Sequence, residues 1–164
     1  MFEMKEKRIW ILGGGGAGKT TFAKRLSEKT GIPFYTTDHF KYSKNFGKKY
    51  VKKTAKKKLN DIIRKRKWII EGVHKSEWVL PGLEKAELII FLDVGTVKRT
   101  FRSFFRERKE KRKGKKSKIG RLIFLSLIYP FDSRKHHRRF IRETDKKAIV
   151  LKNNKQINEF LEKI

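Results

Sequence analysis

The chain has no cysteine, few acidic residues and no long apolar run. The absence of cysteine excludes disulfide bonds and thiolate metal sites. The longest apolar run, residues 122–129, is interrupted by Ser126 and stopped by Pro130, so it falls short of the ~20 residues that a membrane helix needs. The first residues also lack the three-part form of a signal peptide. The sequence therefore predicts a cytoplasmic protein with no membrane partner.

The scarcity of acidic residues leaves a large positive charge. The 164 residues include 45 Lys and Arg against 17 Asp and Glu, which gives a net charge of +28 at pH 7. A field of this size attracts polyanions such as nucleotides and nucleic acids. A solvated lysine-rich surface explains the same charge without a partner, because a run such as Lys56 to Lys58 lies on one predicted helix. Nucleic acid binding and a solvated surface both stay open at this point.

A glycine-rich segment stands near the start of the chain. Residues 13–20 fit the phosphate-loop pattern G-x-x-x-x-G-K-[ST], after the apolar run 9–12 and before the helix-favouring segment 21–26. A strand before the loop and a helix after it are the context that the motif requires. The residues predicted to bind the nucleotide are Gly13, Gly14, Gly15, Gly16, Ala17, Gly18, Lys19, Thr20 and Thr21.

The chemistry of such a loop follows from its backbone and its last two residues. Glycines let the main chain approach a phosphate closely, and the N-terminus of the following helix offers unpaired N–H donors. Lys19 is expected to reach the β- and γ-phosphates and to act in catalysis, while the hydroxyl of Thr20 ligates Mg²⁺. The sequence therefore predicts an ATP and Mg²⁺ site. An ordinary glycine turn before a helix is the alternative.

Apolar runs alternate with helical patterns along the rest of the chain. Strands are predicted at 8–12, 34–36, 68–70, 88–92 and 148–151, and helices at 19–30, 50–66, 96–112, 119–129, 133–142 and 156–163. Residues 39–47 are predicted as a loop, and 76–80 as a short turn or helical piece before Pro81. Strands that alternate with helices are typical of a parallel sheet covered on both faces. The length and the 37% hydrophobic content suit one α/β domain over residues 1–164.

Acidic residues stand just past three of the predicted strands: Asp38, Glu71 and Asp93. In open α/β sheets, ligands bind beyond the carboxyl ends of the strands, which is also the edge of the glycine loop. Asp93 is predicted to hold Mg²⁺ together with Thr20, with a helix-capping role as the alternative. Asp38 and Glu71, with Gly72, are predicted to bind the acceptor, and a structural turn is the alternative for each.

Arginines recur on one predicted helix after the fourth strand. Arg99, Arg102 and Arg106 lie three and four residues apart and so share one face of that helix. Arginines placed over a triphosphate stabilise the charge on the transferred group, and this predicts a catalytic role for Arg102 and Arg106. A solvated basic face is the alternative in so basic a chain.

Five features follow one another along the chain: the glycine loop, the segments 35–39, 68–72 and 88–93, and the pair Arg102 and Arg106. In that order they resemble the adenylate-kinase-related P-loop proteins that are labelled DNA topology modulation proteins. The resemblance spans the chain from Arg8 to about Leu161. It implies a three-layer P-loop NTPase fold with a five-stranded parallel sheet, ATP·Mg²⁺ at the loop, an acceptor site near Asp38 and Glu71, and an arginine-bearing helical lid at about 97–145.

These features predict a small kinase that transfers the γ-phosphoryl group of ATP to a nucleotide or another small acceptor. Two alternatives stay open. The first is a P-loop ATPase or regulator that binds nucleic acid, as the positive charge suggests. The second is a nucleotide-binding module without turnover. The sequence identifies the phosphate donor but not the acceptor.

Overall fold

A computed structural model describes residues 4–41, 52–72, 77–95 and 134–164 of the chain. In these ranges the strands are β1 (Arg8–Gly13), β2 (Phe34–Thr36), β3 (Trp68–Glu71), β4 (Leu88–Leu92) and β5 (Lys147–Leu151), and the helices are α1 (Lys19–Thr30), α2 (Thr37–Lys41), α3 (Lys52–Ile63), α4 (Leu80–Lys85), α5 (Lys135–Glu143) and α6 (Asn154–Glu162), with a 3₁₀ turn at Glu77–Val79. None of the described helices is long and apolar enough to cross a membrane.

The strands form one parallel sheet in the order β2-β3-β1-β4-β5. The first strand is therefore central: Ile11 lies opposite Glu71 of β3 on one side and opposite Ile90 of β4 on the other. β1, β3 and β4 are buried along nearly their whole length. Unbroken apolar runs fit this position, because each strand is covered on both faces. The predicted five-stranded parallel sheet is confirmed.

Successive residues of β1 point to opposite faces of the sheet and so enter different cores. Ile9 and Ile11 pack with side chains of α1 and α6. Trp10 and Leu12 pack with side chains of α3, α4 and α5. Period-two alternation thus places α1 and α6 on one face and α3, α4 and α5 on the other. The phosphate loop continues from β1 into α1, so it leaves the sheet on the α1 face.

Two local predictions differ from the structure. Residues 37–41 form the short helix α2 where a loop was predicted from residue 39 onward. Pro81 does not stop a helical piece but lies in the first turn of α4. Proline is tolerated there because an N–H in the first turn has no acceptor inside the helix, so its absence from proline removes no helical hydrogen bond. The predicted boundary at Pro81 was therefore wrong.

The beginnings of β1 and β4 are tied together by Glu87. Its carboxylate accepts hydrogen bonds from the backbone N–H of Lys7 at 2.7 Å and from Nε of Arg8 at 2.9 Å. Partial burial acts to raise the pKa of Glu87, but these hydrogen bonds outweigh it and hold the pKa below its ordinary value of 4.5. A carboxylate with a lowered pKa stabilises the fold at pH values above its ordinary pKa. This stabilisation is lost as the pH falls through the pKa of the folded state.

Glu87→Gln is therefore expected to lower the free energy of unfolding at about pH 7 by about 1 kcal/mol or less, since the pair is part-exposed. The difference from the wild type should shrink as the pH falls below 4.5. Urea unfolding across this pH range measures it. Glu28→Gln, which removes an exposed glutamate of α1, is the control, and a difference between wild type and Glu87→Gln that does not change with pH contradicts the prediction.

Candidate nucleotide-binding site

The glycine loop wraps from the carboxyl end of β1 to the first turn of α1. Gly18 has φ 88°, in the left-handed region that favours glycine, and its carbonyl accepts the N–H of Phe22 at 2.9 Å. Within the loop, the N–H of Ala17 donates to the carbonyl of Gly14 at 3.2 Å. Nζ of Lys19 donates to the same Gly14 carbonyl at 3.0 Å. The lysine side chain therefore folds back over the loop that it is predicted to serve.

Glu71 lies against the first turn of α1. Its position follows from the sheet order, since β3 neighbours β1 and the N–H of Gly72 donates to the carbonyl of Ile11 at 3.1 Å. Glu71 is buried, with 5% of the residue exposed, and its Oε1 accepts a hydrogen bond from Oγ1 of Thr20 at 3.1 Å. A hydroxyl and a carboxylate oxygen at this separation are the oxygen ligands that Mg²⁺ takes. Thr20 and Glu71 together therefore fit a magnesium ion.

Asp93 lies at the other side of β1, because β4 pairs with that strand and Leu92 is opposite Gly13. Asp93 is buried, with 3% of the residue exposed. Its Oδ1 accepts from Nε of Arg134 at 2.6 Å, and its Oδ2 accepts from Nε and Nη2 of Arg138 at 2.9 and 2.6 Å. Both carboxylate oxygens thus contact guanidinium groups. A metal at Asp93 would have to displace one of these groups, and the metal role of Asp93 stays a prediction.

Sequence reasoning missed both arginines of this contact. Arg134 immediately precedes α5 and Arg138 lies in its first turn, both inside the helix predicted over 133–142. Their four-residue spacing was the available signal, because it places them on one face of the helix. The same spacing drew attention instead to Arg99, Arg102 and Arg106. Those three residues, and most of the predicted lid, lie outside the described residues.

The predicted acceptor residues lie beyond β2 and β3. Asp38 is exposed in α2, and Thr37 before it is buried against Gly72. A side chain at Gly72 would overlap the Thr37 side chain, so a glycine is required for this close approach. β2 is separated from β1 by β3, which places Asp38 two strands, ~10 Å, from the phosphate loop. The structure therefore brings Glu71 into contact with Thr20. Asp38 lies at the same end of the strands but further from the phosphate loop.

A pocket of about 340 Å³ opens beside the carboxyl-terminal half of the loop. It lies between α1 and α6, on the α1 face of the sheet. Arg25 lines it, and its Nη1 donates to Oδ1 of Asn158 at 3.0 Å. The lining residues are Ala17, Gly18, Thr21, Phe22, Arg25, Asn154, Ile157 and Asn158. The pocket thus joins the phosphate loop to a partly apolar, partly polar recess.

Comparison with known proteins gives matches in structure only. No family model and no curated protein matches the sequence. Shikimate kinase from Bacteroides thetaiotaomicron superposes with a TM-score of 0.64 at 15% identity, over 96% of this chain and 95% of that chain. The chain therefore shares its fold with this kinase. The predicted fold class is thereby confirmed.

Two further kinases share this fold. A gluconokinase from Sinorhizobium meliloti 1021 gives a TM-score of 0.58 at 14% identity, over 96% of this chain and 88% of that chain. Deoxyadenosine kinase from M. mycoides, with bound dATP, gives 0.56 at 20% identity, over 94% and 97%. These identities establish the fold alone. The narrower resemblance to topology modulation proteins stays a prediction.

Proposed function

We propose that the chain is a small-molecule kinase that takes its phosphoryl group from ATP·Mg²⁺. The observation that carries the proposal is the juxtaposition of Lys19, Thr20 and Glu71 at one end of the central strand, with Oγ1 of Thr20 3.1 Å from Oε1 of Glu71. The shared fold supports it, since the similar structures include kinases of shikimate, gluconate and deoxyadenosine.

The backbone N–H groups of the loop, Lys19 and Thr20 have distinct parts in binding the donor. The loop N–H groups and the N-terminus of α1 bind the phosphates, and Lys19 exchanges its contact with the Gly14 carbonyl for one with the β- and γ-phosphates. Thr20 and Glu71 are the residues that would hold Mg²⁺, which neutralises charge on the phosphates when bound. We propose that the pocket beside Thr21 and Arg25 takes the nucleoside portion.

The transfer itself needs little covalent chemistry from the protein. The bond between the γ-phosphorus and the β–γ bridging oxygen breaks, and a bond from an acceptor oxygen to that phosphorus forms, which leaves ADP. Catalysis is then mainly positioning and charge stabilisation. Asp38 and Gly72 are proposed to position the acceptor. Arg102 and Arg106 are proposed to lie in a lid and to stabilise the charge on the transferred phosphoryl group. We also propose that the chain forms one domain and acts in the cytoplasm.

An acceptor screen tests this function. Purified protein with ATP and Mg²⁺ is incubated with nucleosides, nucleoside monophosphates, sugars, sugar acids and shikimate, and ADP is measured together with the phosphorylated product. We expect at least one acceptor to raise ADP formation well above the rate without acceptor. ADP that never exceeds that background, with ATP binding intact, would favour a binding module without turnover.

A nucleic-acid-binding ATPase is the second candidate. α3 supports it, because Lys53, Lys56 and Lys57 are exposed on that helix and Asp61 is its only acidic residue. Such binding would weaken with salt, log affinity falling by ~0.9 per log unit of salt for each phosphate neutralised on duplex DNA. Binding to a 20-base-pair duplex in ~0.05 and ~0.15 M salt, with and without ATP, measures it. Absence of duplex binding at ~0.15 M salt removes this candidate.

A further inference from the structure

The contact of Asp93 with Arg134 and Arg138 carries more positive than negative charge. One buried carboxylate receives two guanidinium groups, so the cluster keeps a net charge of about +1. The Asp93 side chain is 2% exposed, whereas that of Arg138 is 52% exposed. The carboxylate is therefore covered, while the Arg138 guanidinium is half exposed and can donate further hydrogen bonds to a ligand. We call Asp93, Arg134 and Arg138 the arginine clamp.

Two residues of the arginine clamp, Asp93 and Arg138, line a cavity. The cavity has a volume of about 940 Å³, within the range of small-molecule sites. Its apolar wall consists of Phe91, Ile141 and Val150. The charged residues that line it are Asp93, Lys135, Arg138, Arg139, Arg142 and Lys152, and the polar residue His136 lines it as well. Among these described residues Asp93 is the only acid, and it is already paired, so the cavity favours an anion with an apolar body.

The position of the arginine clamp relative to the phosphate loop makes the cavity relevant to transfer. Leu92 pairs with Gly13, so Asp93 lies beside the start of the loop at about the 4.8 Å spacing of neighbouring strands. The loop leaves this edge on the α1 face, whereas α5 brings its arginines from the opposite face. A phosphoryl group bound to the loop would therefore have the loop on one side and the arginine clamp on the other.

We infer that the arginine clamp is an anion-binding site for the phosphoryl acceptor, and that the acceptor carries a phosphate or carboxylate group on an apolar or aromatic body. Arg138 contacts the anionic group. Asp93 is a positioning residue, since it fixes the direction of both guanidinium groups from a buried place. This inference rests on the proposed kinase function and narrows its substrate class, because it disfavours uncharged acceptors. β2 and β4 lie on opposite sides of β1, so an acceptor that contacts both Asp38 and Arg138 has to span the end of the phosphate loop.

Matched ligands test the inference. The phosphate loop is first filled with the non-hydrolysable analogue AMPPNP and Mg²⁺, and calorimetry then measures binding of each nucleoside monophosphate, the corresponding nucleoside and orthophosphate. We expect at least one monophosphate to bind, and to bind about tenfold or more tightly than its nucleoside, as charge-assisted hydrogen bonds require. Shikimate is the carboxylate-bearing probe in the same experiment.

Variants separate the arginine clamp from general charge and from folding. Arg138→Ala is expected to weaken binding of the anionic ligand about tenfold or more and to leave the AMPPNP affinity unchanged. Arg138→Lys keeps the charge but not the planar fork, and should restore only part of the loss. Arg66→Ala is the matched control, because that exposed arginine lies before β3, at the opposite edge of the sheet. Circular dichroism checks that each variant is folded.

The outcomes distinguish this inference from the proposed function. Failure of wild-type protein to bind AMPPNP would overturn the kinase function. Intact AMPPNP binding overturns the acceptor site if no anionic probe binds, if nucleosides bind as tightly as their monophosphates, or if a folded Arg138→Ala variant binds the anion as well as wild type does. If Arg138→Ala fails to fold, the Arg138→Lys comparison decides by the same criteria.

Discussion

Replacing Lys19 with alanine is expected to lower kcat/KM for ATP by about 10²–10³, the loss typical of removing one preorganised charged donor from a transition state. Nζ of Lys19 lies 3.0 Å from the Gly14 carbonyl, which shows that the side chain reaches back over the phosphate loop. Its ammonium group can therefore meet the β- and γ-phosphates without rearrangement of α1. Initial rates with the acceptor found by the screen measure the change, and calorimetry measures MgATP affinity.

Lys24→Ala is the matched control for Lys19→Ala. Lys24 also belongs to α1 and carries the same charge, but it is exposed and paired with Glu28 at 3.8 Å. We expect Lys24→Ala to change ATP affinity little, since exposed ion pairs of this kind contribute little. Equal effects of the two substitutions would show that net charge, rather than the loop geometry, governs ATP binding. Unchanged ATP binding in Lys19→Ala would overturn the proposed function.

The fold was predictable because its signals are local and agree with one another. The strand at 88–92 is apolar at every position, as a strand buried on both faces must be, and the structure buries all of it. Gly31 marks the end of α1 in the sequence, and its N–H caps that helix on the Ser27 carbonyl at 2.9 Å. Helix α2 had no such signal, because its few residues cannot show a helical period.

The site was less predictable because sequence order does not state which strands are neighbours. Both β3 and β4 flank β1. From the sequence, Asp93 was predicted to hold the metal and Glu71 to bind the acceptor. What distinguishes them is long-range: Arg134 and Arg138 follow Asp93 by 41 and 45 residues and occupy its carboxylate. No local pattern at Asp93 announces that contact. The contact of Glu71 with Thr20 spans 51 residues and was equally hidden.

Glu71→Gln is expected to raise the Mg²⁺ concentration needed for half-maximal ATP binding by about tenfold or more, since removal of a carboxylate from a metal site costs this much affinity. Glutamine keeps the shape and can still accept the hydrogen bond from Thr20, so the fold is retained. Titration of Mg²⁺ against ATP binding measures the shift. ATP binding without Mg²⁺ should change little, or improve, because a negative charge beside the phosphates is lost.

Asp93→Asn gives the opposite pattern if the geometry of the two carboxylates governs their roles. Loss of the Asp93 charge loosens Arg134 and Arg138, so we expect weaker acceptor binding. The half-saturating Mg²⁺ concentration should stay within about twofold of wild type, a smaller change than the loss of a metal ligand causes. The thermal unfolding midpoint should fall, because two guanidinium groups lose a buried partner. A large Mg²⁺ shift in Asp93→Asn with none in Glu71→Gln would instead place the metal on Asp93, as the sequence alone predicted, and the arginines would then have to leave the carboxylate whenever ATP·Mg²⁺ binds.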